Sequence, residues 1–209
     1  MWKGSYMVFQ RAKYRQSGAS LVELMIASLV GSIALAIIGS LFLSNQRVAL
    51  QRSQDIMLQQ QMSMVMYQLK RDVLRAGYHG SHGTSVTFDD QNNLLAVNDR
   101  SLGYVYYTPN SSSGRYSHTL YRLDNNMLDY CQDNRDQINS RQPENPQHCH
   151  ALFDPKQVKV TNFAVKHVPL TGETVRSAVV LVDFSASLVA NPEVTHSMQL
   201  QITQRNWQS

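Results

Sequence analysis

Three residues near the start of the chain carry chemistry by type and spacing: Gly18, Ala19 and Glu23. A residue without a side chain fits a protease subsite that rejects anything larger, so cleavage after Gly18 would free the α-amine of Ala19. That amine precedes Glu23 by four residues, one helical turn. The ammonium of one subunit and the carboxylate of a neighbour can pair across a helix bundle in low dielectric, where an ion pair is strongest. A carboxylate in an apolar helix costs up to about 3 kcal/mol when central and less near the interface, so it marks a function or a pairing partner. The competing reading is an interfacial glutamate that reaches into the headgroups.

Cys131 and Cys149 are the only cysteines, and they bracket a polar segment with prolines at 143 and 146. In an oxidising compartment they read as a disulfide that clamps a loop unable to bury apolar surface, worth about 3 kcal/mol in the chain-entropy model. The rival is a metal site, because His148 and His150 flank Cys149; it lacks a C-x-x-C pair and a further thiol. We expect no metal and no cofactor. Catalytic signatures are missing as well: there is no G-x-S-x-G, H-E-x-x-H, phosphate loop or dinucleotide fingerprint, so the chain is not read as an enzyme. His79 and His82 read as solvated residues at a helix end, Asp89 and Asp90 as a turn, and the Asn110-Ser111-Ser112 acceptor pattern carries little weight.

The elements that must position these residues are set by hydropathy and charge. Residues 24–43 hold no charge, and as a helix they span about 30 Å, the hydrocarbon thickness of a bilayer. Lys3, Arg11, Lys13 and Arg15 precede Gly18 with no acid among them, and removing them from the 19 basic residues leaves 15 against 15 acids. The basic character therefore belongs to the leader. A balanced remainder gives no electrostatic reason to bind nucleic acid. The leader's charge keeps the N-terminus cytoplasmic and sends the chain beyond the apolar run outward. A cleaved secretory signal is disfavoured by the length of the run and by the residues after it, while an uncleaved signal anchor stays open.

Beyond the span, residues 44–78 contain no proline and no glycine before Gly77, and Leu58, Met62, Val65, Leu69 and Val73 make one apolar helical face. Gly77, Gly80 and Gly83 break the helix. Residues 86–88, 94–97, 102–108, 119–123, 158–168, 175–188 and 197–203 read as strands, separated by turns such as 89–93 and Asp124-Asn125-Asn126. The expected fold is α+β: a long N-terminal helix packed on one antiparallel sheet. The expected organisation is a leader at 1–18, a membrane half-helix at 19–43, a second half-helix at 44–78 and a β-rich head at 79–209, in which the roughly 125 residues after residue 83 suffice for a modest core.

Gly18-Ala19-Ser20-Leu21-Val22-Glu23, continuing into the apolar run, resembles the type III signal of type IV prepilins, although Ala19 stands where a phenylalanine is usual. Asp72-Val73-Leu74-Arg75-Ala76-Gly77-Tyr78-His79-Gly80 resembles the R-A-G-Y segment of PilW-like minor pilins. The resemblance implies a type IV pilin-like fold, cleavage after Gly18 and N-methylation of Ala19 by a prepilin peptidase, and a role for Glu23 in assembly. It implies an inner-membrane, single-pass protein with a periplasmic head that enters a pilus. The implied partners are the prepilin peptidase, other minor pilins, the major pilin and the inner-membrane assembly platform. A pseudopilin of type II secretion shares the same signal and layout and is the alternative.

Overall fold

The computed structural model describes residues 18, 20–80, 85–88, 94–109, 114–138, 148–172 and 176–204. Residues 1–17, Ala19, His82, Gly83, Asp89, Asp90, the Asn110-Ser111-Ser112 pattern and both prolines of the cysteine loop lie outside them. The chain divides into two units, residues 1–50 and 51–209.

One helix, α1, runs Leu21–Arg75. The carbonyl of Ser20 accepts the N–H groups of Glu23 at 2.9 Å and Leu24 at 3.2 Å, so Ser20 stands at the cap and Glu23 in the first turn, where a carboxylate favours the positive helix end. Within the first unit the helix is exposed at every position. It is long and apolar enough, by length and composition, to cross a membrane. Ser28, Ser32 and Ser40 turn their hydroxyls back to the carbonyls of Met25, Leu29 and Ile37 at 2.8 Å, so these polar groups are satisfied inside the helix.

In the second unit α1 buries Leu58, Met62, Val65, Leu69 and Val73, the face expected from spacing, together with Met66 and Asp72. The helix stops at Arg75, short of residue 78. Gly77 takes a positive φ of 79° and gives its N–H to the carbonyl of Val105 at 2.9 Å, so the chain leaves helical geometry through a residue that adopts it without strain.

Among the described residues the head holds two antiparallel sheets where one was expected. The first contains β1 (Leu95–Asn98), β2 (Ser101–Tyr107), β3 (Tyr116–Asp124), β4 (Met127–Arg135) and β5 (Cys149–Ala151) in sequential order. The second contains β6 (Val158–Thr171), β7 (Arg176–Leu188) and β8 (Thr195–Thr203). The break falls at residues 152–157, where Asp154 caps a turn by accepting the Lys156 N–H at 2.9 Å. Residues 86–88 form no strand; Val86 and Phe88 instead pack with Val105 in a small satellite cluster.

β4 and β5 were not expected. β4 is too rich in Asp, Gln and Asn to read as a strand, yet a two-residue turn forces it: Asn125 and Asn126 both have positive φ, 46° and 62°, and Asp124 faces Met127 directly. Positive φ at both centres is the hairpin geometry that matches strand twist, so the chain must return alongside β3. The main core combines the helix face with Tyr104, Tyr121, Phe163, Phe184, Val180 and Ile202.

Candidate functional site

The residues expected to serve processing and assembly lie in the first unit. Gly18 is exposed and precedes the helix, and Glu23 is exposed in the first turn. A Cβ built on Gly18 meets nothing within 4 Å, and its φ lies outside the left-handed range. No described part of the fold therefore requires a glycine there. Gly77 is the opposite case: its positive φ, and a Cβ that would come within 2.5 Å of the Leu94 side chain, account for the glycine from inside the fold. Ala19 lies outside the described residues, so no distance relates it to Glu23.

The structure joins Cys131 and Cys149 in a disulfide. The two residues face each other in the β4–β5 register, and the next pair bonds through Gln132 N–H to His148 C=O at 3.1 Å. The cysteines thus occupy a non-hydrogen-bonded pair, where side chains come closest. The bridge staples a three-residue edge strand that has little else to hold it. Both thiols are taken up by this bond, and the His150 ring lies against Tyr130, centroids 5.2 Å apart. His79 is half-buried rather than solvated, set against Tyr107 at 5.7 Å and Tyr116 at 6.0 Å between ring centroids.

A buried polar network at the end of α1 went unread in the sequence. Asp72 is 5 % exposed. It accepts the Tyr121 hydroxyl at 2.5 Å and pairs with Arg75 at 3.0 Å. Arg75 in turn lies 4.0 Å over the ring of Tyr106. Burial first, and the Asp72 charge next, hold the Tyr121 hydroxyl far above its usual range, so it acts as a donor throughout. The Gln132 amide extends the polar layer to Ser117 at 2.8 Å and Tyr106 at 3.3 Å. One signal was available: Asp72 lies seven residues after Val65, on the apolar stripe itself, and a carboxylate there must find a partner.

These contacts give the D-x-x-R-A-G-Y segment a role. Asp72 and Arg75 fasten the last turn to β2 and β3, Ala76 is buried, and Gly77 turns the chain. Gly77 and Tyr78 then bond the stretch of β2 that β1 leaves free, Gly77 N–H to Val105 C=O at 2.9 Å and Tyr107 N–H to Tyr78 C=O at 2.7 Å.

Two families match the chain. The prokaryotic N-terminal methylation motif matches residues 13–39, which contain Gly18, Ala19 and Glu23. The prepilin peptidase-dependent protein B family matches residues 51–204. No curated protein and no solved structure matches. The matches carry the type IV pilin-like assignment without singling out PilW, and neither family is an enzymatic one. With an exposed apolar N-terminal helix, antiparallel sheets and a match over well more than half its length, the chain belongs to the prepilin peptidase-dependent protein B family and is a pilin-like protein bearing the N-terminal methylation motif.

Proposed function

We propose that this protein is a minor pilin: cut after Gly18 and N-methylated on Ala19 by prepilin peptidase, held in the inner membrane by the first part of α1 with its head in the periplasm, and recruited into a minor-pilin complex that starts or tips a type IV pilus. The observation that carries this reading is the glycine at position 18. Neither backbone conformation nor packing among the described residues explains it, as is also true of Gly31 and Gly39; its place just before Ala19 within the matched methylation motif sets it apart and supports a demand made by the processing enzyme. The exposed apolar helix supports membrane insertion, since burying such a surface in lipid is favourable at roughly 25 cal/mol per Å². Glu23 supplies the carboxylate for the Ala19 amine of an adjoining subunit, and the major pilin and the assembly platform are the further partners. The narrower likeness to PilW-like minor pilins rests on the D-x-x-R-A-G-Y segment.

The test is processing in cells. Gly18→Leu leaves the full-length precursor in the membrane, whereas the wild-type protein yields a mature chain starting at methylated Ala19 by mass spectrometry. A mature N-terminus elsewhere removes Gly18 as the cleavage determinant, and an unprocessed wild-type chain returns the protein to the class of uncleaved signal anchors.

A further inference from the structure

The two sheets present four edges, and three of them are blunted. β1 has four residues and β5 three, too short to template a partner. β6 carries a register shift between Val160 and Asn162 and a proline at 169. Turns of the first sheet also reach it, Val160 N–H to Asn126 C=O at 2.9 Å and Val165 N–H to Asp99 C=O at 3.4 Å. β8 has none of these devices. Its nine residues, Thr195–Thr203, contain no proline, no lysine and no bulge, and His196, the one titratable side chain, is tied to Asp55 on α1 at 2.7 Å.

Pairing fixes which backbone groups of β8 point outward. Leu188 N–H bonds Val194 C=O at 3.1 Å and Gln204 N–H bonds Ala178 C=O at 2.7 Å, so even-numbered residues occupy the hydrogen-bonded pairs with β7. The N–H and C=O groups of Thr195, Ser197, Gln199, Gln201 and Thr203 therefore face the open edge, where they have no backbone partner among the described residues. Every one of their side chains is uncharged and exposed. On the helix side of this edge, Ser63 touches Met198, hydroxyl to sulfur at 3.9 Å. Ile56 and Tyr67, seven residues before and four after Ser63, share that helix side and remain 52 % and 64 % exposed.

We propose that the outer edge of β8 is a strand-addition site, occupied by an extended, uncharged segment of alternating apolar and polar residues from the head of another pilin-type subunit. The open row of donors and acceptors recognises a strand and no other conformation. An uncharged edge leaves any charge on the incoming strand without a partner. The exposed Ile56 and Tyr67 offer apolar surface to the side chains the added strand turns toward the helix. The proposal rests on the minor-pilin reading and names the contact by which the head is recruited.

The experiment uses the full-length chain, alone and co-expressed with the other prepilin-type subunits of the same cell, extracted in detergent and followed by residue-resolved amide hydrogen exchange. In the complex, the amides of Ser197, Gln199 and Gln201 slow at least tenfold, while those of Met198 and Leu200 are protected in both samples. Gln199→Pro removes one outward N–H without touching the β7 ladder, and Gln199→Lys blunts the edge with no backbone change; each abolishes the added protection and lowers recovery of the partner. A complex that forms with fast odd-numbered amides overturns the edge proposal and leaves the minor-pilin reading standing. Failure to form any complex overturns both. Slowing in the chain alone, rising with concentration, replaces the proposed occupant with a second copy.

Discussion

Asp72 on α1 and Tyr121 on β3, 49 residues apart in sequence, meet in a 2.5 Å hydrogen bond at the point where the helix ends against the first sheet. Asp72 is nearly inaccessible, while Arg75, its other partner, keeps 44 % of its side chain exposed, so the tyrosine is the buried half of the clamp. Tyr121→Phe leaves the carboxylate short of one charge-assisted bond and is expected to cost about 1.5–3 kcal/mol. Asp72→Ala leaves the buried Tyr121 hydroxyl without its acceptor, while Arg75 stays in solvent over Tyr106, and costs about 1–3 kcal/mol. Urea denaturation of the full chain in detergent, followed by tyrosine fluorescence, measures both. A double variant costing less than the two single costs together marks the pair as coupled.

Gly77 supplies a second constraint at the same joint. Gly77→Ala is expected to destabilise by about 1–2 kcal/mol through its positive φ, with a further cost because the new methyl would lie 2.5 Å from a Leu94 methyl. The two causes separate by a second change: Leu94→Ala in the Gly77→Ala background relieves the contact but not the backbone cost. Thermal unfolding of the two variants beside Leu94→Ala alone reports each part.

How much of this was legible depended on whether local pattern or long-range pairing decided an element. The helix face from Leu58 to Val73 was readable because five apolar residues at helical spacing have one way to be buried together. β6, β7 and β8 were readable because their Val, Ile, Leu and Thr content fits a half-buried pleated surface. β4 was not, since Asp129, Gln132, Asp133 and Asn134 contradict strand propensity and only the Asn125-Asn126 turn imposes it. Residues 86–88 failed the other way: Val86 and Phe88 have strand composition, but they bury in a satellite cluster, and Val86 spends its N–H on Gly77 C=O at 3.0 Å. The cysteine pair was named from composition, whereas the cross-strand position that aligns it depends on β5, a three-residue strand with no signal of its own.

His118 gives the head a pH dependence of known sign. It is 2 % exposed on β3, and burial first, then the Arg135 charge, holds its imidazole below the ordinary value, against the pull of Asp133. Between the ordinary value near 6.5 and the lowered one, the unfolded chain takes up a proton that the folded chain refuses. Stability therefore falls on acidification through this window, by at most about 1.4 kcal/mol per pH unit from this residue. Well above the ordinary histidine value the residue contributes no slope. His118→Gln is expected to flatten the pH 5–7 dependence relative to wild type, measured as the difference in urea midpoint; an unchanged slope excludes His118 as its source.

The disulfide predicts a local and a global effect. Replacing Cys131 and Cys149 together by serine opens a loop with a sequence separation of 18 and is expected to cost about 3 kcal/mol. Locally, β5 is held by three residue pairs, so hydrogen exchange at Gln132, whose N–H reaches His148 C=O, is expected to accelerate more than at Leu120, inside the β2–β3–β4 ladder. Oxidised protein from the periplasm is expected to show no reactive thiol, and full reactivity with native stability would remove the bridge from the account.

Glu23 separates assembly from folding. Its side chain is exposed in the first turn of α1, and it makes no ion pair among the described residues. The helix start is held by the Ser20 carbonyl whether or not the carboxylate is present. Glu23→Ala is therefore expected to leave the sheets, the disulfide and cleavage after Gly18 intact, with a helix-end loss below about 1 kcal/mol. On the proposed minor-pilin function, the substitution removes the partner for the Ala19 amine of a neighbouring subunit, in surroundings where an unpaired charge is costly. Recovery of other minor pilins with the variant should fall, and surface pili should fall with it, while circular dichroism and the mature mass apart from the substitution stay at wild-type values. A subunit at the very tip has no neighbour above it, so its carboxylate contributes through one contact fewer than in the shaft. The decisive comparison pairs Glu23→Ala with Gln199→Lys in the same cells. If only the β8 variant loses partners, recruitment runs through the heads and Glu23 is a passive interfacial residue; if both lose them, the membrane pair and the head edge act in the same assembly step.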